Sequence, residues 1–207
     1  MSDLLNSLEG DLAGKYYPLL GMDKETQERL IKEHFLFKEG DRFMEAAGFT
    51  RDWPEGRGIF YNNEKTFLVW VNEEDHLRII SMEQGGNISS VFERLCRVVN
   101  QLDKAIGFQR LDSHGYLASC PSNLGTGMRA SVHVKIPNAV NHPDYQKVLD
   151  EHHIQARGIH GEHSVSTGED AGVYDISNAR RLGLSEAQCV RDMCEGVKKL
   201  LAMEQGS

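Results

Sequence analysis

An α+β fold built on an antiparallel sheet with flanking helices is the class this sequence predicts. Three observations carry that expectation. Segments rich in β-formers recur, among them FLVWV at 67–71, LRIIS at 77–81 and ASVHVKI at 130–136. Several are joined by connections too short for a crossover helix, which suits antiparallel neighbours. Helical patterns are inserted among the strands rather than alternating regularly with them, which argues against a doubly wound parallel sheet.

Taken in order, the chain starts with leucines at 4, 5, 8 and 12, the spacing of a short amphipathic helix over 2–12. Tyr16, Tyr17 and Pro18 end it. Residues 23–37 read as a second helix with Leu30, Ile31 and His34 on one face and acids in its first turn. Residues 38–41 turn out of it through Gly40. Residues 53–58 form a loop, 59–61 a strand, and Asn62 with Asn63 a tight turn. Residues 67–71 and 77–81 are two strands, or one strand with a bulge, separated by Asn72, Glu73, Glu74 and Asp75. Gly85, Gly86 and Asn87 break the chain. Ile88, Val91, Phe92, Leu95, Val98, Val99 and Leu102 then recur at helical spacing. A strand is expected within 108–119, ending at Cys120, and another at 130–136. His142 and Pro143 open a helix through Val148 and Leu149. Residues 154–157 suit a strand, 158–172 a long polar loop with four glycines, and 173–176 a last strand. Ser185 and Gln188 form a capping box for a helix to 203, with Val190, Met193, Val197, Leu200 and Leu201 on its face.

The totals narrow the function. The 207 residues suffice for a core. Lys and Arg number 23 against 31 Asp and Glu, a net charge of −8, which argues against a general nucleic-acid binder. No apolar run approaches a membrane span, and the N-terminus lacks the basic-then-apolar layout of a signal peptide. A cytoplasmic location without membrane association is the expectation. Cys96, Cys120, Cys189 and Cys194 show neither a CxxC pair nor zinc spacing, so free thiols are expected.

Two stretches carry chemistry. Glu73, Glu74 and Asp75 set three carboxylates between core-forming segments, which is costly unless cations meet them. They form either a solvated turn or a cluster that receives a cationic substrate or a metal. CPSNLGTGMR at 120–129 is a Gly-rich loop between expected strands. Such a loop is either a plain hairpin connection or a set of backbone N–H groups aimed at an anion, with Arg129 adding a fork suited to phosphate oxygens. It matches neither GxxxxGK[ST] nor GxGxxG. Arg78 and Arg157 stand at comparable edges. If one sheet carries all three arginines, their forks can converge on a polyphosphate. Arginine forks with paired carboxylates suit a nucleotide polyphosphate with Mg²⁺ facing a cationic acceptor, the combination phosphoryl transfer needs.

CPSNLGT at 120–126 resembles the active-site signature of the phosphagen (ATP:guanidino) kinases. LVWVNEEDHLRIISM at 68–82, HFLFKEGDRF at 34–43, RGIHGEH at 157–163 and GVYDISNARRLGL at 172–184 corroborate it. Within the family the chain is most similar to arginine kinases. The resemblance implies a glutamine synthetase/guanidino kinase catalytic-domain-like α+β fold and reversible transfer of the ATP γ-phosphoryl group to a guanidinium, with arginine the leading acceptor. By the same resemblance, Arg78, Arg129 and Arg157 bind nucleotide phosphates, and His34 and His133 line the nucleotide site. Glu74 and Glu162 hold the guanidinium and draw off its proton. Cys120 lies close to the guanidinium as an electrostatic partner, and Glu73 stands near Mg²⁺ through water.

Against the family pattern, residues 1–207 match a C-terminal catalytic domain without the small helical N-terminal domain or an STRxR segment. The sheet is therefore expected to be incomplete on that side, with an exposed edge open to self-association and weak or no activity in this chain alone. The loop after Gly161 is longer than is typical, and His160 stands where many members have Arg. This leaves room for acceptors such as taurocyamine or lombricine, while Glu169 and Asp170 lean toward a cationic one. A protein-arginine kinase and a non-catalytic nucleotide-binding lobe are the competing readings.

Overall fold

The computed structural model describes residues 1–33, 35–37, 39, 42–158 and 171–206. They fall into two compact units, Met1–Phe108 and Gln109–Ser207, each with its own sheet and helices. The antiparallel α+β class is what both units show.

The first unit runs α1 (Ser2–Asn6), β1 (Gly14–Pro18), α2 (Lys24–Lys32), α3 (Arg42–Ala46), β2 (Gly58–Asn62), β3 (Phe67–Val71), β4 (Leu77–Ser81) and α4 (Ile88–Ile106). The sheet order is β1-β2-β3-β4. Period-two alternation sorts its side chains between two faces. Phe60, Phe67, Val69 and Val71 join Leu5, Leu8, Leu12, Val98 and Leu102 in one core. On the other face Ile59 meets Leu30 and Leu36, with Trp70 packed beside them. Asn87 caps α4 by accepting the Ser90 amide at 3.2 Å.

The first unit departs from the sequence reading in five places. The helix expected over 2–12 ends at Asn6, because Gly10 takes φ 65° and starts a separate 3₁₀ turn, Gly10–Leu12. Tyr16, Tyr17 and Pro18 do not merely end that helix; they belong to edge strand β1, whose outward Tyr16 N–H donates to Asn6 Oδ1 at 2.8 Å. Helix α2 stops at Lys32, and Ile31 is exposed, so only Leu30 supplies its buried face. Helix α3 was not anticipated. Asn62 closes β2 as expected of a turn residue, but it is fully buried. Its Oδ1 accepts the amides of Thr66 and Phe67, each at 2.9 Å, and sets the start of β3.

The second unit contains β5 (Arg110–Leu111), β6 (Gly115–Tyr116), β7 (Ser131–Lys135), α5 (Tyr145–Glu151), β8 (Ile154–Gly158), β9 (Val173–Asn178) and α6 (Glu186–Gln205). Its main sheet has the order β7-β9-β8, so β9 is central. Helix α6 packs on β9 and β8, and α5 packs on α6 and β8. Ile154, Ile176, Met193 and Leu200 are among the buried side chains of these elements. Ser185 caps α6 through the Gln188 amide at 3.2 Å. The strand expected within 108–119 is only a two-rung hairpin, β5 with β6, reversed at residues 112–114, and Gly115 opens β6 at φ 67°. Pro143 precedes α5 rather than opening it. No helix among the described residues is long and apolar enough to cross a membrane.

Candidate active site

The acidic stretch is the tip of the β3–β4 hairpin. Apolar β3 and β4 pair from Phe67↔Ser81 to Val71↔Leu77, which leaves residues 72–76 as the turn. Asn72 takes φ 57°, a conformation Asn tolerates, and anchors the turn by donating to Gly56 O at 2.8 Å. The register puts Arg78 directly across from Trp70. The guanidinium lies 5.2 Å from the Trp70 ring centroid, and Trp70 Nε1–H is held by Phe35 O at 2.8 Å. Arg78 Nη2 then meets Glu73 Oε2 at 3.2 Å and Glu74 Oε2 at 3.4 Å. The Glu74 amide also donates to Glu73 Oε2 at 2.9 Å. Burial pushes the Glu73 carboxyl above its ordinary value. Arg78 and the Glu74 amide pull it down, and the Glu74 and Asp75 carboxylates push it up. The tip is thus a partly exposed carboxylate cluster that already holds one guanidinium.

In the second unit the register aligns three side chains on one rung. His133 on β7 and Arg157 on β8 both pair with Asp175 on β9. Arg129, just before β7, donates from Nη2 to Asp175 Oδ2 and from Nε to Ser177 Oγ at 3.3 Å. His133 Nε2 lies 4.0 Å from Asp175 Oδ1. Arg157 Nη2 donates to Gln155 Oε1 at 3.3 Å, and Gln155 Nε2 donates to Ser177 Oγ at 3.3 Å.

The loop from 120 to 129 is shaped by its own hydrogen bonds. Cys120 precedes a 3₁₀ turn, Pro121–Asn123, and its Sγ lies 3.0 Å from Ser122 Oγ. The amides of Asn123, Leu124, Gly125 and Thr126 donate to the carbonyls of Cys120, Pro121, His114 and Arg181, and the Met128 amide donates to Thr126 Oγ1. These five N–H groups are already bonded within the protein, so they are not aimed at an anion. Gly125 serves close approach instead: a Cβ there would lie 2.1 Å from Arg181 O. Arg181 Nη1 in turn donates to Ser122 O at 2.9 Å, tying this turn to the chain after β9. Burial lowers the Arg181 guanidinium's pKa below its ordinary value, and the nearby charges of Arg129 and Arg157 add to the effect.

The expected residues therefore divide between the units. Glu73, Glu74 and Arg78 meet on one hairpin of the first. Arg129, His133 and Arg157 meet around Asp175 in the second, and Cys120 lies on the loop that leads into Arg129. The arginines do not share one sheet: Arg78 is on β4, Arg157 is on β8, and Arg129 adjoins β7. His34, Glu162 and loop positions 159–170, including His160, Glu169 and Asp170, lie outside the described residues. Asp175, Ser177 and Arg181 were missed. Their signal was present in the polar alternation YDIS at 174–177 and in the second Arg of NARRL. Among the described residues no three His, Cys, Asp or Glu side chains are placed to hold a metal by themselves.

Comparison with known proteins gives a consistent result. The family model for the ATP:guanido phosphotransferase C-terminal catalytic domain matches residues 1–207. An arginine kinase of Anthopleura japonica is 72% identical over 204 residues, 99% of this chain and 28% of the relative. The substrate-free duplicated taurocyamine kinase from Schistosoma mansoni superposes with a TM-score of 0.90 at 49% identity, over 100% of this chain and 28% of that one. A crystal structure of lombricine kinase gives a TM-score of 0.91 at 48% identity, over 99% and 57%. The chain spans 28% to 57% of the length of the curated relatives it matches.

Proposed function

The chain belongs to the ATP:guanido phosphotransferase family, and from that premise we propose that it is the C-terminal catalytic part of a guanidino kinase with arginine as its leading acceptor. The reaction moves the γ-phosphoryl group of ATP reversibly onto a guanidinium nitrogen. The P–N bond forms, the P–O bond to ADP breaks, and the nitrogen's proton passes to a carboxylate. The observation that carries this reading is the β3–β4 tip, where Glu73 and Glu74 hold a guanidinium, that of Arg78, at 3.2 and 3.4 Å. A site that binds one guanidinium through carboxylates is chemically suited to another.

In this reading Arg78, Arg129 and Arg157 take the phosphate oxygens, where charge builds in a loose phosphoryl transition state. His133 lines the nucleotide site with His34, and Glu74 with Glu162 orients the acceptor and takes its proton. Cys120 sits beside the acceptor as an electrostatic partner. The tip's carboxylate oxygens fit Mg²⁺, a hard cation that usually reaches proteins through nucleotide phosphates, water and one or two carboxylates. Glu73 is the residue assigned to it, through water. When bound with ATP, Mg²⁺ neutralises phosphate charge.

The test is a coupled assay of ADP formation with Mg²⁺-ATP and arginine, run on this chain alone and with a separately expressed N-terminal portion carrying STRxR. Slow or absent turnover alone, rescued by the added portion, is expected. Robust turnover alone would show that the three arginines and the carboxylates suffice. Silence in both, with ADP still bound, would turn the reading to a non-catalytic nucleotide-binding lobe.

The second reading is another guanidino acceptor, favoured by the likeness to taurocyamine and lombricine kinases at nearly half identity. Turnover with either compound and none with arginine would establish it.

A further inference from the structure

We propose that Asp175 is a positioning residue that, with Ser177, clamps Arg129 into its phosphate-binding orientation before any nucleotide arrives. This deepens the guanidino kinase reading and rests on its assignment of Arg129 to phosphate.

The clamp follows from strand geometry. On central strand β9, residues 175 and 177 point to the same face of the sheet. Both are polar and buried, Asp175 at 8% exposure and Ser177 at 0%, where an apolar pair would be the default. Buried polar groups at such positions need partners, and both find Arg129. Nε donates to Ser177 Oγ and Nη2 to Asp175 Oδ2, so two adjacent guanidinium nitrogens are engaged from one side. Two contacts on a planar fork fix its tilt as well as its position. Nη1 has no assigned partner among the described residues, which leaves that end of the fork for a phosphate oxygen.

Charge explains why a carboxylate is required rather than another hydroxyl. Burial lowers the Arg181 guanidinium's pKa, and the charges of Arg129 and Arg157 are close enough to add to the effect. Without a counter-charge, Arg129 and Arg157 would repel across the sheet and the forks would splay. Asp175 is the anion on the rung between β7 and β8. Among the described residues its Oδ1 is buried with no hydrogen-bond partner, and His133 Nε2 lies 4.0 Å from it. An unpaired buried carboxylate oxygen is costly. Retaining it there is consistent with a role beyond stability.

A residue that acts only through Arg129 should lose its effect when Arg129 is disabled. The experiment is calorimetric titration of ADP into the full chain, its Asp175→Ala and Arg129→Lys variants and the double variant. Alanine at 175 is expected to weaken ADP binding about tenfold or more, as loss of a charge-assisted contact does. In the Arg129→Lys background the same change should cost less than about threefold. Asp175→Asn, which keeps an acceptor oxygen but loses the charge, should recover only part of the loss. Equal costs in both backgrounds would overturn the proposal. So would tighter binding by Asp175→Ala, the result expected if Asp175 merely repels phosphate.

A binding-independent arm separates this proposal from the function it rests on. The Arg129 Nε–H resonance, assigned with Arg129→Lys, should be distinct and slowly exchanging in the wild type and lost in Asp175→Ala. If the wild type fails to bind ADP but this signal behaves as expected, the nucleotide reading falls and the clamp stands. If the signal is unchanged in Asp175→Ala, the clamp falls whatever ADP does.

Discussion

Glu73 carries two opposed demands at the hairpin tip. Its side chain is 15% exposed, and burial raises its pKa above the ordinary 4.5, while Arg78 at 3.2 Å favours the ionised form. Burial outweighs the cation, so the folded state binds Glu73's proton more tightly than the unfolded state does. Stability contributed by that proton is complete below the unfolded value and is lost as pH rises through the folded one. Glu73→Gln removes this dependence. Its unfolding free energy relative to wild type should therefore climb between pH 4 and pH 7 in urea titrations, and a flat difference would contradict the shift. Arg78 tests the fork rather than the charge. Lysine there keeps the charge but loses the planar fork and the stack on Trp70. Arg78→Lys should weaken ADP binding about tenfold, as measured by calorimetry, through loss of charge-assisted contacts. Its stability should change by no more than about 1 kcal/mol, because the pairs it breaks are partly exposed.

Elements whose signals are local were legible in the sequence, and those that depend on distant partners were not. Helix α4 could be read from its periodic apolar residues, α6 from its Ser185 cap, and β3 and β4 from the acids that separate them. Edge strand β1 could not, because Pro18 reads as a stop and only pairing with β2, some 40 residues on, makes 14–18 a strand. The same limit applied to the site. Glu73, Glu74 and Arg78 are chain neighbours and announce themselves, whereas Asp175 meets Arg129 from 46 residues away. A search for cations around a phosphate also passes over the anion that holds them. The Gly-rich loop shows a third limit, since its composition fits an anion cradle and a tightly bonded turn equally well. Gly125, at φ 102° with Arg181 O in the path of any Cβ, is the residue that decides its shape. Gly125→Ala should cost about 2–3 kcal/mol in denaturant unfolding, from strain at positive φ and the clash with backbone. A cost near zero would mean that the 180–184 segment can move aside freely.

At the scale of the whole chain, charge opposes the proposed ligand. The net charge of −8 repels ATP and ADP at long range, while the arginines assigned to phosphate act only at contact distances. Two of those arginines are already occupied by carboxylates, Arg78 by Glu73 and Glu74 and Arg129 by Asp175. The field a distant nucleotide meets is therefore that of the acidic molecule more than that of its site. Screening separates these two ranges. The Debye length falls from about 30 Å at 0.01 M salt to about 8 Å at 0.15 M, which removes the long-range repulsion and spares the short contacts. Stopped-flow association of ADP with this chain should accordingly quicken with salt over that interval. Dissociation should quicken too, since the charge-assisted contacts weaken as ions compete for the forks. An association rate that instead falls steeply with salt would mean that the forks steer nucleotide from a distance. The pairing of Arg78 and Arg129 with carboxylates would then be too weak to mask them.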